Sequence, residues 1–119
     1  MLSLVYMLQC YLNPVAYYNN KHIHLEFFST CEDKGTQLII ALKVDGLNGT
    51  FTDTVKVKNS GKVKAKLDCD DMIDVAVKCE GYLHSIKEAI GGVLTVKKID
   101  SSEEEKMDIV IVYDPGFFD

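Results

Sequence analysis

The chain has 119 residues, 47% of them hydrophobic and 26% charged, the composition of one compact domain over residues 1–119. Its 13 basic residues, all lysines, stand against 18 acidic ones for a net charge of −5, which excludes broad electrostatic attraction to nucleic acid or an anionic membrane as the governing interaction. The absence of arginine also removes the side chain best suited to bidentate recognition of phosphate or guanine.

The first twelve residues are apolar apart from Ser3 and Gln9. No lysine precedes Lys21, and Tyr6, Gln9 and Tyr11 interrupt the run, so it does not read as a secretory signal. Asn13-Pro14 ends it well short of the roughly 20 residues of a spanning helix. The segment is expected to be retained and folded, in a cytoplasmic or virion-associated chain. Leu2, Leu4, Tyr6, Leu8 and Leu12 share one strand face, and Val5, Met7 and Tyr11 the other. A strand with two apolar faces is central in its fold or covered by another chain.

From His22 onward, alternation of period two dominates the chain. Ile23, Leu25 and Phe27 interleave with His22, His24 and Glu26, and Leu38, Ile40, Leu42 and Val44 share one parity. Phe51, Val55 and Val57 oppose Thr52, Thr54, Lys56 and Lys58; Val63, Ala65 and Leu67 oppose Lys62, Lys64 and Lys66. Ile73, Val75 and Val77 predict another strand, as do Val93–Ile99 and Met107–Tyr113, the last with two apolar faces from Ile109 onward. Asp45-Gly46 and Asn48-Gly49 mark one reversal, Asn59-Ser60-Gly61 a tight hairpin, Asp70-Asp71 a turn and Gly91-Gly92 a loop. Leu83–Ile90 reads as a short helix or an irregular strand. The pattern implies an all-β fold, an antiparallel β-sandwich of about seven to nine strands.

Cys10, Cys31, Cys69 and Cys79 contain no CxxC pair, which argues against a structural zinc cluster. Cys69 and Cys79 can face each other across neighbouring strands. In a chain without a secretory signal, however, buried free thiols are the expected state.

Phe51-Thr52-Asp53-Thr54-Val55-Lys56-Val57-Lys58-Asn59-Ser60-Gly61-Lys62-Val63-Lys64-Ala65-Lys66-Leu67, followed by Ile73–Leu83 with its Glu80-Gly81-Tyr82-Leu83 ending, resembles the carboxypeptidase-regulatory-like, or transthyretin-like, β-sandwich domains. Those domains present an Asp/Asn-x-Gly hairpin turn, an alternating strand, a short loop and a strand ending in Gly-Tyr. The match covers about a third of the chain. His22–Ser29 lacks the Gly-x-Val-x-Asp pattern of that family's opening strand. The resemblance implies a transthyretin-like or immunoglobulin-like sandwich serving as a non-catalytic scaffold, and it carries over no active-site residue.

His22, His24 and Glu26 at i, i+2 and i+4 fall on one strand face, a spacing that can hold a transition metal if His84 or a cysteine converges on them. The simpler reading is the solvent face of an amphipathic strand, with no cofactor. Lys56, Lys58, Lys62, Lys64 and Lys66 flank one turn and form a basic patch suited to an acidic protein surface or sulfated glycan. It lacks the interleaved aromatic platforms of single-strand nucleic-acid binders. Asp68, Asp70, Asp71 and Asp74, with Asp53, lack the central Gly and closing Glu of a calcium loop. Asn48-Gly49-Thr50 matches an N-glycosylation acceptor, but without evidence of secretion a hairpin turn is the expected use of Asn-Gly. The serines stand outside any G-x-S-x-G elbow, and the phosphate-binding glycine patterns are absent.

These features together predict a non-catalytic subunit or decoration protein of a larger assembly such as a virion or surface apparatus, contacting other protein chains, copies of itself included. Leu2, Leu4, Tyr6, Leu8, Phe117 and Phe118 are the expected assembly contacts, because chain ends fray unless packed. A Lys-rich, Arg-free composition is also what an AT-rich genome, viral or bacterial, encodes. The alternative is a monomeric recognition domain using the lysine hairpin; a metal protein using His22, His24 and Glu26 comes third.

Overall fold

A computed structural model describes residues 9–19, 21–72, 76–86 and 88–114, with the backbone alone at 76 and 77. The order is β1 (Tyr11–Asn19), β2 (His22–Ser29), β3 (Gln37–Val44), β4 (Phe51–Lys56), β5 (Lys62–Asp68), a 3-10 turn (Cys69–Asp71), α1 (Ala76–Ser85), β6 (Ile90–Lys98) and β7 (Glu104–Tyr113). The fold is all-β, and its strands hydrogen-bond into one sheet in the order β4-β3-β6-β7-β1-β2-β5. Neighbours run antiparallel except β1 and β7, which pair in parallel through Ala16↔Ile111, Tyr17↔Val112 and Tyr18↔Tyr113. The sheet is therefore mixed, against the expectation of antiparallel pairing throughout. These two strands lie at opposite ends of the chain, so no short hairpin dictates their relative direction.

The period-two pattern sorts residues as its physics requires. Tyr18, Ile23, Leu25, Phe27, Leu38, Ile40, Leu42, Val44, Val63, Leu94, Val96 and Ile111 are buried on the concave side. Tyr11 meets Phe27 edge-on at 5.6 Å between ring centroids, a favoured aromatic geometry. Asn13-Pro14 does not end β1. The register with β2 shifts between Leu12 and Val15, and Asn13 takes a φ of 54°, the positive region that Asn tolerates; the irregularity accommodates Pro14.

The sheet curls nearly into a barrel, and its edge strands β4 and β5 are joined by the Asn59-Ser60-Gly61 turn. At that end the edges are drawn together. Lys58 N–H donates to Lys62 O at 3.1 Å, Ser29 N–H to Gly61 O at 2.8 Å, and Val57 exchanges bonds with Gly35 and Thr36 at 2.8 and 3.0 Å. Gly61 has a φ of +85°, and a Cβ on it would lie 2.9 Å from Ser29 O, so both backbone conformation and space demand glycine.

Buried Asp33 organises the loop after β2 at this same end, accepting from Tyr11 Oη at 3.3 Å and from Ser29 Oγ. Burial, reinforced by the Asp33 carboxylate, pushes the Tyr11 phenol well above its ordinary value.

The opposite end is capped by α1. Tyr82 Oη donates to Asp45 O at 2.6 Å, beside Gly46, whose φ of +89° and close approach to the Tyr82 ring leave no room for a Cβ. Fully buried Tyr18 places its hydroxyl 2.6 Å from the carbonyls of Ile86 and Glu88, binding the segment after the helix to β1. The strand expected from Ile73 through Val77 is corrected from Ala76 onward, where the chain is helical; residues 73–75 lie outside the described residues. Cys79, Leu83 and Ile86 supply the i, i+4, i+7 spacing that turns one face toward the core. The helix ends at Ser85, before most of the predicted Leu83–Ile90 segment.

Gly91-Gly92 is also not a loop. Both residues lie in β6, where a Cβ on Gly92 would sit 2.8 Å from Lys43 O and one on Gly91 2.7 Å from Asp45 Oδ2. Small residues there let β3 approach.

The cysteines overturn the free-thiol expectation. Cys10 bonds Cys31 and Cys69 bonds Cys79, leaving no free cysteine among the described residues. The pairs join Cα atoms 5.1 and 5.6 Å apart, within disulfide reach. Cys69 and Cys79 do not face each other across strands; one lies in the 3-10 turn, the other on α1. Each bridge fastens one end of the sheet, Cys10–Cys31 the hairpin end and Cys69–Cys79 the helical end.

Candidate functional site

The convex face of β7, β1, β2 and β5 brings together several residues singled out from the sequence. Alternation turns Lys62, Lys64 and Lys66 outward on β5, since Val63 and Leu67 of the opposite parity are buried and Ala65 is half-buried. Lys56 and Lys58 face outward across the turn because Val57 between them is buried. All five lysines therefore lie around the turn that joins β4 to β5. They are not equally available: Lys62 Nζ lies 3.1 Å from Glu26 Oε1 and Lys64 Nζ 3.9 Å from the same atom. Lys56, Lys58 and Lys66 have no ion-pair partner among the described residues. Half-exposed pairs of this kind are worth less than about 1 kcal/mol, so Lys62 and Lys64 remain free to exchange Glu26 for a better anion.

His22, His24 and Glu26 share the outer face of β2, opposite Asp68, Lys66 and Lys64 of β5 in register. His22 Nδ1 approaches Asp68 Oδ2 to 3.1 Å without the alignment of a hydrogen bond, and Glu26 is engaged by the lysines. Among the described residues, no three His, Cys, Asp or Glu side chains converge as a metal site. His84 lies exposed on α1, away from β2. Asp68 caps the 3-10 turn by accepting from Asp70 N–H at 2.9 Å, and Asp70 pairs with Lys21 at 2.9 Å. That carboxylate holds the Lys21 ammonium above its usual range. Asp53 sits on β4 with its side chain accepting from Thr54 N–H at 2.8 Å; Asp74 is outside the described residues.

On the same face, beyond β2, lies an apolar stripe. Val110 and Val112 on β7 are 60% and 47% exposed, and Val15 on β1 is 41% exposed. Tyr17 stands beside Val112 in the parallel register, with His24 on its other side. The stripe is the second apolar face the sequence shows in Ile109–Tyr113, now placed against β1. Phe28, 42% exposed, sits between Leu12 and Lys62 in register, with Lys62 Nζ 5.9 Å from its ring centroid. Across the sheet the surface thus passes from the valines of β7 and β1, with exposed Asp108 two residues from Val110 on the same strand face, through Tyr17 and then His24 and Glu26 of β2 to the lysines of β5, which lie along one side of this face. The expected assembly contacts Leu2, Leu4, Tyr6, Leu8, Phe117 and Phe118 lie outside the described residues.

Asn59-Ser60-Gly61 forms the turn between β4 and β5, whereas Gly81-Tyr82 lies within α1 and ends no strand. No helix among the described residues is long and apolar enough to cross a membrane. The chain matches no known protein-family model and no curated protein sequence.

Proposed function

We propose that this chain is a non-catalytic protein-interaction module, a subunit that docks on another protein through the convex face of β7, β1, β2 and β5. The observation that carries the reading is the apolar stripe of Val15, Val110 and Val112, which shares one face with Lys62, Lys64 and Lys66 across β2. An apolar patch with charged residues at its margin is the anatomy of protein interfaces, and here the lysines along its β5 side favour an acidic partner surface in an otherwise acidic molecule. Glu26 keeps two of the lysines ordered until a partner carboxylate replaces it. The transthyretin-like sandwich lineage belongs to the same proposal: the Asn59–Gly61 hairpin supports it, and the helical Gly81-Tyr82 counts against it.

The test is capture from an extract of the source cells on the immobilised, oxidised full chain, beside Val110→Asp and the Lys62→Glu/Lys64→Glu/Lys66→Glu variant. The expected result is a protein retained by the parent chain, released by salt, and lost with both variants. Retention that neither variant alters refutes this face as the binding surface.

A further inference from the structure

Asn48-Gly49-Thr50 is the sole Asn-x-Ser/Thr sequence with a non-proline centre in the chain, and the structure removes both reasons for reading it as a mere turn. The first reason is conformational. An Asn-Gly hairpin turn needs positive φ at both residues, yet the positive φ in the β3–β4 connection falls on Gly46 alone. The reversal is closed by Leu47 N–H donating to Val44 O at 3.1 Å, so Asn48 and Gly49 come after the turn instead of forming it. The second reason is the compartment. Two disulfides, one of them joining fully buried Cys69 and Cys79, are the mark of a chain that folds under oxidising conditions, outside the cytosol.

The acceptor is presented as its chemistry requires. Asn48 and Thr50 are exposed while Leu47 and Phe51 on either side are buried, so the tripeptide arches away from an anchored base. No side-chain hydrogen bond of Asn48 or Thr50 exists among the described residues, and the Asn48 amide is free to enter a transferase. We propose that Asn48 is an N-glycosylation site, taking an oligosaccharide in the oxidising lumen of a secretory pathway. Asn48 Nδ2 forms a bond to the anomeric carbon of a lipid-diphosphate-linked oligosaccharide. The bond from that carbon to the diphosphate oxygen breaks, the lipid diphosphate leaves with the electron pair, and the Nδ2 proton passes to a basic group of the transferase. The Thr50 hydroxyl completes recognition of the acceptor. The glycan would project from the helical end, remote from the Lys58–Lys62 turn, leaving the basic hairpin open.

The test translates the full chain behind a cleavable secretory leader in the presence of microsomes and scores the protease-protected, lumenal pool by intact mass before and after peptide N-glycosidase. The expected result is a one-glycan increment that the glycosidase removes, that Thr50→Ser retains, and that Asn48→Gln and Gly49→Pro abolish. Lumenal, disulfide-bonded chain with Asn48 unmodified overturns the site. Thiol alkylation of the same pool reads the second premise: four alkylatable cysteines in folded, lumenal chain overturn the oxidised fold on which the inference rests.

Discussion

Replacing Gly61 by alanine separates two effects that glycine usually confounds. Its φ of +85° costs an L-residue about 1–2 kcal/mol. The new Cβ would also stand 2.9 Å from Ser29 O, a backbone atom that retreats only by stretching the hydrogen bond from Ser29 N–H to Gly61 O, worth about 1 kcal/mol. The sum is a loss of about 2–3 kcal/mol. Gly35 is the matched control: its φ is +82°, yet a Cβ there meets nothing within 4 Å, so Gly35→Ala carries the conformational cost alone. Urea unfolding of the oxidised chain, read as midpoint shifts at unchanged slope, should place Gly61→Ala about 1 kcal/mol or more below Gly35→Ala. Equal destabilisation by the two variants would refute the idea that the β4–β5 turn is pressed against the end of β2.

The same geometry fixes four further outcomes. Gly81 lies in α1 with nothing near its absent Cβ, so Gly81→Ala should stabilise by about 0.5–1 kcal/mol in the same urea assay. Partly buried Cys10–Cys31 should yield to a thiol reductant before fully buried Cys69–Cys79, an order that stepwise alkylation and peptide mass mapping will read. The Tyr11 phenol is raised from the ordinary 10.0 by burial and by Asp33. The folded state thus holds its proton more tightly, and the associated stability, complete below about pH 10, falls as pH rises above it. Tyr11→Phe should flatten that alkaline decline in a urea midpoint series. Val110→Asp and Val112→Asp, on exposed convex positions, should change stability by less than about 0.5 kcal/mol, whereas a large loss would mean that the stripe is packed within its own chain.

Much of this fold is written in local pattern. The alternation in His22–Ser29, Gln37–Val44 and Lys62–Asp68 names both the strands and their buried faces, because a one-residue slip would turn every Ile, Leu and Val outward. The five lysines and the turn between them are equally direct. What is not legible depends on partners distant in sequence. Ile73, Val75 and Val77 satisfy period two while Cys79, Leu83 and Ile86 satisfy the helical spacing; contact with the sheet end, through Tyr82 on Asp45, decides for the helix. Gly91-Gly92 carries turn chemistry yet sits inside β6, since the crowding by the Lys43 carbonyl that requires glycine at 92 comes from another strand. The disulfides are hidden for the same reason: spacing alone does not show that the 3-10 turn and α1 carry Cys69 and Cys79 to the same place.

The placement of the bridges explains why the curled sheet needs them. A closed barrel satisfies its edges, but here β4 and β5 are held together chiefly at the Lys58–Lys62 turn, and the helical end must be closed by a short element. A ten-residue helix such as α1 contributes little stability by itself in water. Cys69–Cys79 closes the connection from β5 to that helix and lowers the entropy of its undocked state, an effect of about 2–4 kcal/mol for a loop of this size. Tyr18 and Tyr82 then fix the docked helix with hydrogen bonds to Ile86, Glu88 and Asp45. Helix docking and acceptor presentation meet at Asp45: the turn that bears Gly46 must be rigid for Tyr82 to find its carbonyl, and that same anchored turn is what leaves Asn48 standing free beyond it. Tyr82→Phe should therefore cost about 1 kcal/mol and raise hydrogen exchange across α1, while leaving exchange in β2 and β5 at the parent rate. Slow exchange retained throughout α1 in that variant would show that the helix is seated without the Tyr82–Asp45 bond, by the disulfide, Tyr18 and the buried Leu83.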